Sequence, residues 1–298
     1  MATQTPVLPA APAIAVRRRR QSDRASGRRF NWWLTGILAV CSLTILIPLY
    51  FAVAMSLKTA AQTGTGTGFD FPWPLHFSNF TAAWDETDTP IHFAMSVLVA
   101  AIAVFGEIAV SSIAAWAIVR NWSHWQFRFS FYYLLGAMFI PFPVIALAQV
   151  KLTSTLSLDN PFGVAILHIL FALSFNVLIY SAFIRSIPEE LEESARLDGC
   201  TTWQAFRQVV LPLLGPMNAT VGIFAFLASW NDFQMPYLIT ANPRWQTLPV
   251  IQNLFQTQFS ANYNIAFASY LMAMIPTIIG YIIAQRWIIA GIMRGSIK

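Results

Sequence analysis

Apolar residues along this chain gather into six long blocks separated by short polar stretches. A helix needs roughly 20 apolar residues to cross the hydrocarbon core of a bilayer, and each block reaches that length. The blocks predict membrane-spanning helices at residues 32–57, 91–119, 127–150, 161–184, 213–238 and 264–293. Pro48, Pro141, Pro143, Pro216 and Pro276 fall inside them. Such prolines would break a helix in water, but inside a bundle neighbouring groups satisfy the freed carbonyls, so kinks are expected. The expected fold is an all-α integral membrane protein with six transmembrane helices in residues 31–298.

Composition agrees with this pattern: 56% of the 298 residues are hydrophobic and 10% charged, with a mean hydropathy of +0.56. A soluble domain is far less apolar and carries about 25% charged residues. The charges also orient the blocks. Seven arginines (Arg17, Arg18, Arg19, Arg20, Arg24, Arg28 and Arg29) precede the first block, and basic residues flanking a span are retained in the cytoplasm. With both termini cytoplasmic, all of the 18 Lys and Arg except Lys58, Lys151 and Arg244 fall on the inner side. The first block is longer than a signal-peptide core and has no small-residue cleavage site, so it is expected to remain as a helix.

Residues 1–30, rich in Ala, Pro, Gln, Ser and Arg, offer little to bury and read as a disordered basic tail. Anionic lipid headgroups account for its arginines, and a nucleic-acid partner is not expected. Residues 63–68 read Thr-Gly-Thr-Gly-Thr-Gly, a flexible link in the first external loop, before a stiffer Phe71-Pro72-Trp73-Pro74 whose Trp73 suits the membrane interface. Cys41 and Cys200 have no metal or disulfide spacing, and His76, His92, His124 and His168 form no ligand pair. No metal site is expected.

The loop at residues 185–212 is patterned. Ser186 with Glu189 predicts a capping box, Pro188 suits an early helical position, and the acidic residues that follow favour a helix N-terminus. Gly199 predicts a C-terminal stop. Thr201 with Gln204 predicts a second cap, after which Trp203, Phe206 and Val210 recur at helical spacing until Leu211 and Pro212 lead into the fifth block. The reading is a helix–turn–helix elbow between spans 4 and 5.

Glu193, Ala195 and Gly199, followed after nine residues by Val209-Val210-Leu211-Pro212, resemble the loop motif of ABC-importer permeases, a Glu-Ala-Ala triplet ahead of Gly, Ile, Leu and Pro. Ser194 and Cys200 stand where the family often has alanine, and both are small. The resemblance implies that this segment docks in a cleft of an ATPase subunit. Glu193 would be the polar anchor, Ser194, Ala195 and Gly199 the close-approach surface, and Arg196 and Asp198 flanking charged contacts. Further matches point to the smaller permease of maltose-type carbohydrate importers: Ile47-Pro48-Leu49-Tyr50 through Ser56-Leu57-Lys58, Ala114-Ala115-Trp116-Ala117 ahead of Arg120, Pro141 with Pro143, and Trp230-Asn231-Asp232-Phe233. That branch implies a heterodimeric pore with a second permease, two ABC ATPase subunits, and an extracytoplasmic solute-binding protein, all at the inner cell membrane.

The external loops are short, so solute capture is delegated. By analogy, residues 239–263 either contact the binding protein or merely connect two spans. Glu107 lies mid-block in the second span, where a charge costs roughly 2.5–3.5 kcal/mol on insertion scales. It is either a pore-lining carboxylate or a buried group bonded to a neighbouring helix. Trp230, Asn231 and Asp232 offer an aromatic face and polar groups for a sugar, or plain packing and interface anchoring. Gln149 and Asn176 are further pore candidates.

No nucleophile–base pair and no glycine-rich nucleotide loop ending in Lys-Ser/Thr is present, so this chain is expected to be non-catalytic. It would bind no cofactor, with ATP and Mg held by the partner ATPase. The same machinery importing a polyol or glycerol phosphate is the nearest alternative. A secondary transporter would show internal repeats and more ionisable residues in its spans.

Overall fold

The structure, a computed structural model, describes residues 31–258 and 262–295. The basic tail read in residues 1–30 lies outside the described residues, as does Lys298. Every regular element among the described residues is helical. In chain order these are α1 (Trp32–Ser56), α2 (Ala60–Thr65), α3 (Ser78–Glu86), α4 (Thr89–Arg120), α5 (Trp125–Ala137), α6 (Phe142–Thr155) and α7 (Pro161–Ile184). They continue with α8 (Glu190–Leu197), α9 (Thr202–Ala205), a π-helical turn (Phe206–Val210), α10 (Leu211–Leu213), α11 (Gly215–Asn231), α12 (Gln234–Ile239), a 3-10 turn (Pro243–Trp245), α13 (Leu248–Gln258) and α14 (Tyr263–Gly295).

Residues up to Ile47 form one unit and those from Pro48 another. In the first, Trp33, Leu38 and Ile45 of α1 are exposed. Bare apolar side chains of this kind suit hydrocarbon, because the helix satisfies its own backbone.

The second unit is organised on α4, which packs along both α7 and α11. Small buried side chains on the facing helices (Ala100, Ala103 and Ala115; Ala165 and Val177) permit the close approach that membrane helices use for packing. At Gly106 a Cβ would meet the end of the Ile169 side chain of α7, which would have to shift to admit it. One apolar cluster joins Ala115, Ile118 and Val119 of α4 to Val177, Tyr180 and Ile184 of α7 and to Phe206, Val210 and Leu214. A second, nearer the start of α7, gathers Val99, Val164, Leu167, Met235 and Ile239.

Four helices are long and apolar enough to cross a bilayer (α1, α4, α7, and α14 as far as Ile283), and the full extents of these helices match four of the expected spans within two residues. The other two blocks differ from expectation. The third is no kinked rod: α5 and α6 meet at 107°, with Pro141 and Pro143 in the cap and first turn of α6. The fifth separates into α11 and α12, and α11 is bent by 75° from the helical segment before it. Pro216 sits in the first turn of α11, where its missing N–H costs nothing. Pro48 and Pro276 do lie inside helices. Counting each bent pair as one span raises the number of candidates from four to six.

The loop between α1 and α4 is more ordered than its Gly-Thr composition suggested. Thr59 and Gln62 form a reciprocal capping box for α2, which takes in Thr63 and Thr65. Buried Lys58 donates to the Thr67 carbonyl at 2.7 Å. Thr67 in turn donates its hydroxyl (2.6 Å) and its N–H (2.7 Å) to Asp70, holding that carboxyl below the ordinary carboxylate range. Asn79 donates to the carbonyls of Ser56 and Lys58 and accepts from Asn264, fastening α3 and α14 to the end of α1. Trp73 is exposed.

Candidate functional site

The loop at residues 185–212 folds as two short helical limbs. The first begins without the predicted Ser186–Glu189 box: Ser186 Oγ donates back to the Phe183 carbonyl at 2.6 Å, and Glu189 at the N-cap makes no side-chain cap. The acidic first turn of Glu190, Glu192 and Glu193 is what suits this helix end electrostatically. Its other end is as expected. Gly199 has φ +92°, its N–H reaches the Arg196 carbonyl, and the Cys200 N–H reaches the Ala195 carbonyl, the paired bonds of a Schellman stop. Thr201 and Gln204 then form the predicted capping box of the second limb. That limb passes into the π-helical turn, which buries Phe206 and Val210 and leaves Trp203 half exposed.

Side chains on α8 divide sharply. Glu193, Ser194, Leu197, Asp198 and Gly199 are exposed, as is Arg196, whose Nε reaches the Glu192 carbonyl at 3.3 Å. Ala195 is partly covered, as is Leu211, while Pro212 is exposed. Glu192, which carried no assignment in the sequence, is buried at 2% exposure. Its carboxylate accepts from Arg120 Nε at 2.7 Å and from Trp116 Nε1 at 3.0 Å. Arg120 also donates to the Ile187 carbonyl at 3.1 Å and to Glu189 at 3.4 Å. The available signal was the spacing of Trp116 and Arg120, which share a face at the end of a span. It identifies the donors but not which of four nearby glutamates accepts.

The pore candidates scatter into three settings. Glu107 and Asn176 meet: both are buried, and Asn176 donates to the Glu107 carboxylate at 2.9 Å across the α4–α7 contact. Glu107 is thus bonded to a neighbouring helix through a second of the pore candidates. One turn along α7, Tyr180 donates to Asn218 of α11 at 2.7 Å, so the three central helices share polar ties as well as small side chains.

Trp230 is buried, with Nε1 3.3 Å from the Ala273 carbonyl and its ring stacked on Phe226. Together with exposed Asn231 it borders a cavity of about 250 Å³ that Gln252, Tyr270 and Thr277 also line. Asp232 accepts from the N–H of Gln234 at the start of α12 and lies 3.4 Å from His168 Nε2. Gln149 stands apart on α6, half-buried.

An all-helical bundle of long apolar helices is the architecture of a multi-pass membrane protein. Residues 107–294 match the family of binding-protein-dependent transport system inner membrane components, and the chain belongs to that family. It is 32% identical over 270 residues to the multiple sugar-binding transport system permease protein MsmG of Streptococcus mutans, covering 90% of this chain and 97% of that one. It is 27% identical over 267 residues to the diacetylchitobiose uptake system permease protein DasC of Streptomyces coelicolor, covering 89% and 96%. Its fold matches a crystal structure of a bacterial ABC transporter involved in the import of alginate, with a TM-score of 0.73 at 20% identity, covering 88% of this chain and 97% of that one. The chain is thus a multi-pass inner-membrane permease subunit of a binding-protein-dependent importer, a transport component and not a member of an enzyme family. Family membership also sets aside the self-powered secondary transporter.

Proposed function

We propose that this chain forms half of the translocation pore of a carbohydrate importer and is driven through residues 185–212 by an ABC ATPase. The observation that carries the coupling role is the division of α8, clamped to α4 through Glu192 while Glu193, Ser194, Leu197 and Asp198 point away from the bundle. A soluble motor can push on a membrane bundle only through a projection that is firmly held behind and accessible in front. In this reading the chain crosses the membrane six times, α5 with α6 making the third crossing and α11 with α12 the fifth. Both termini and the elbow at residues 185–212 are cytoplasmic. Glu193 anchors the motor, Ser194, Ala195 and Gly199 allow close approach, Arg196 and Asp198 flank the contact, and Leu211 and Pro212 return the chain to the bundle.

The partners are a second permease, two ATPase subunits that hold ATP and Mg, an extracytoplasmic solute-binding protein, and the surrounding lipid. No cofactor binds this chain. A sugar is favoured as cargo because MsmG and DasC are named for sugar and diacetylchitobiose uptake. Within this chain the Trp230–Asn231 cavity is the best place to meet it, offering an aromatic ring edge and an amide, while residues 239–263 face the binding protein.

The test is gentle extraction of the tagged chain with identification of its companions, followed by uptake of labelled oligosaccharides, a polyol and glycerol phosphate by the reconstituted complex. The expected result is an ATPase and a second permease in the preparation and ATP-dependent uptake of a saccharide. Recovery of the chain alone, or uptake confined to the polyol or the phosphate, would overturn the respective half of the proposal.

A further inference from the structure

One turn of α4 grips both limbs of the loop. Arg120 holds the first limb by three donated hydrogen bonds, to Glu192, Glu189 and the Ile187 carbonyl. Trp116, four residues earlier on the same face, donates to the second oxygen of Glu192. Its ring also packs on Phe206 of the second limb at a centroid distance of 4.8 Å, and Phe206 stacks on Trp203 at 5.3 Å. Both oxygens of the Glu192 carboxylate are therefore occupied by donors from α4, and the ion pair is withdrawn from solvent, with side-chain exposures of 11% and 3%. A buried ion pair is a poor device for stability alone, because apolar residues of similar volume often do as well; what it supplies is one permitted arrangement of the parts it joins.

We propose that Trp116, Arg120 and Glu192 are positioning residues that lock the loop to the end of α4, making α4 the helix that receives the motor's displacement. The chain connects the loop directly to α7 and α11, and Ile187, Phe206 and Val210 pack on α4 and α7, so without this lock a push on α8 would reach the bundle through backbone and through apolar contacts that fix no single arrangement. With it, the push enters α4 directly, and α4 packs on α7 and α11 along its length. The proposal rests on the reading of α8 as the motor's docking helix.

The experiment uses the complete reconstituted importer, with spin labels at Phe105→Cys on α4 and Leu191→Cys on α8 in a background of Cys41→Ser and Cys200→Ser. Both labelled positions are exposed, and residues 105 and 120 are roughly 22 Å apart along the helix, so the distance suits pulsed resonance. In the parent complex a single narrow distance is expected with and without a non-hydrolysable ATP analogue. The double variant Arg120→Met/Glu192→Met and the single variant Trp116→Phe should keep the ATPase bound and hydrolysing while the narrow distance is lost and comes to depend on nucleotide.

Trp116→Phe keeps the ring packing, so it tests the lock even if the double variant fails to assemble. An unchanged narrow distance in Trp116→Phe and in any double variant that assembles would overturn the proposal. If instead ATPase retention in the parent proved indifferent to Glu193→Ala and Leu197→Ala, the docking reading itself would fall, whatever the distances showed.

Discussion

The two ends of α4 each hold a distant segment of the chain, and they do so by different chemistry. Near its start, His92 Nδ1 lies 2.8 Å from the Gln246 carbonyl and Ser96 Oγ accepts from the Leu248 N–H at 2.8 Å. Near its finish, Trp116 and Arg120 share the carboxylate of Glu192. The first pair of contacts reads only backbone, so it is indifferent to which side chains occupy positions 246 and 248. The second reads one particular side chain and includes a full charge on each partner. Neutral hydrogen bonds contribute about 1 kcal/mol each, whereas removing one member of a buried ion pair costs about 3–5 kcal/mol because the other charge stays behind. One end of α4 is built to be tolerant and the other to be exacting.

The largest test of that contrast is Glu192→Ala. It leaves the Arg120 guanidinium, at 11% side-chain exposure, with only the exposed Glu189 at 3.4 Å as counter-charge, and should lower unfolding stability by about 3 kcal/mol, read from denaturant unfolding in detergent micelles. A loss under about 1 kcal/mol would mean that water reaches Arg120 and that the two ends are equivalent.

Such a pair is also where sequence reading reached its limit. Four spans were legible to within two residues because a run of 20 or more apolar residues has few alternatives, and Gly199 and the Thr201–Gln204 cap were legible because they act locally. The bends at Met138–Pro141 and Leu214 were not. Proline marks a possible break, but whether the chain bends or continues depends on what neighbouring helices do with the freed backbone groups. Ser186 misled for a related reason. Its hydroxyl had two partners within reach and took the carbonyl behind it in place of the N–H ahead. Glu192 was hidden among four glutamates in five residues, and only the position of α4 selects it.

At the tolerant end, Ser96→Ala removes the acceptor of a buried N–H. The expected cost is about 2 kcal/mol, with faster hydrogen exchange at the Leu248 amide. Substitutions at positions 246 and 248 that keep the side-chain volume should leave that exchange rate unchanged. If they raise it as much as Ser96→Ala does, the contact depends on side chains after all, and the contrast weakens.

Gly199→Ala probes the turn of the exacting loop without touching its ion pair. No atom lies within 4 Å of a Cβ built there, so the cost is backbone strain at φ +92°, about 1 kcal/mol. Gly199→Asn should cost less, because asparagine tolerates the left-handed region better than alanine. Equal losses for the two variants in the same unfolding measurement would place the cost in contacts and not in the turn.

The smallest expected effect on stability is the most informative for the loop. Glu193 adjoins Glu192 in sequence and differs from it in one respect: α8 turns it outward, where it makes no hydrogen bond or ion pair through its side chain among the described residues. Glu193→Ala should therefore leave unfolding stability within about 0.5 kcal/mol of the parent. If the outward face is what the motor grips, the same variant should nevertheless lose ATPase during copurification, while Glu192→Gln, which keeps the volume of the inward side chain, retains it. Two adjacent glutamates would then fail in opposite assays, one in holding the loop to α4 and the other in holding the ATPase to the loop. A Glu193→Ala chain that retains its ATPase fully would move the anchor to another part of the exposed face, with Leu197, at 89% exposure, the next position to truncate.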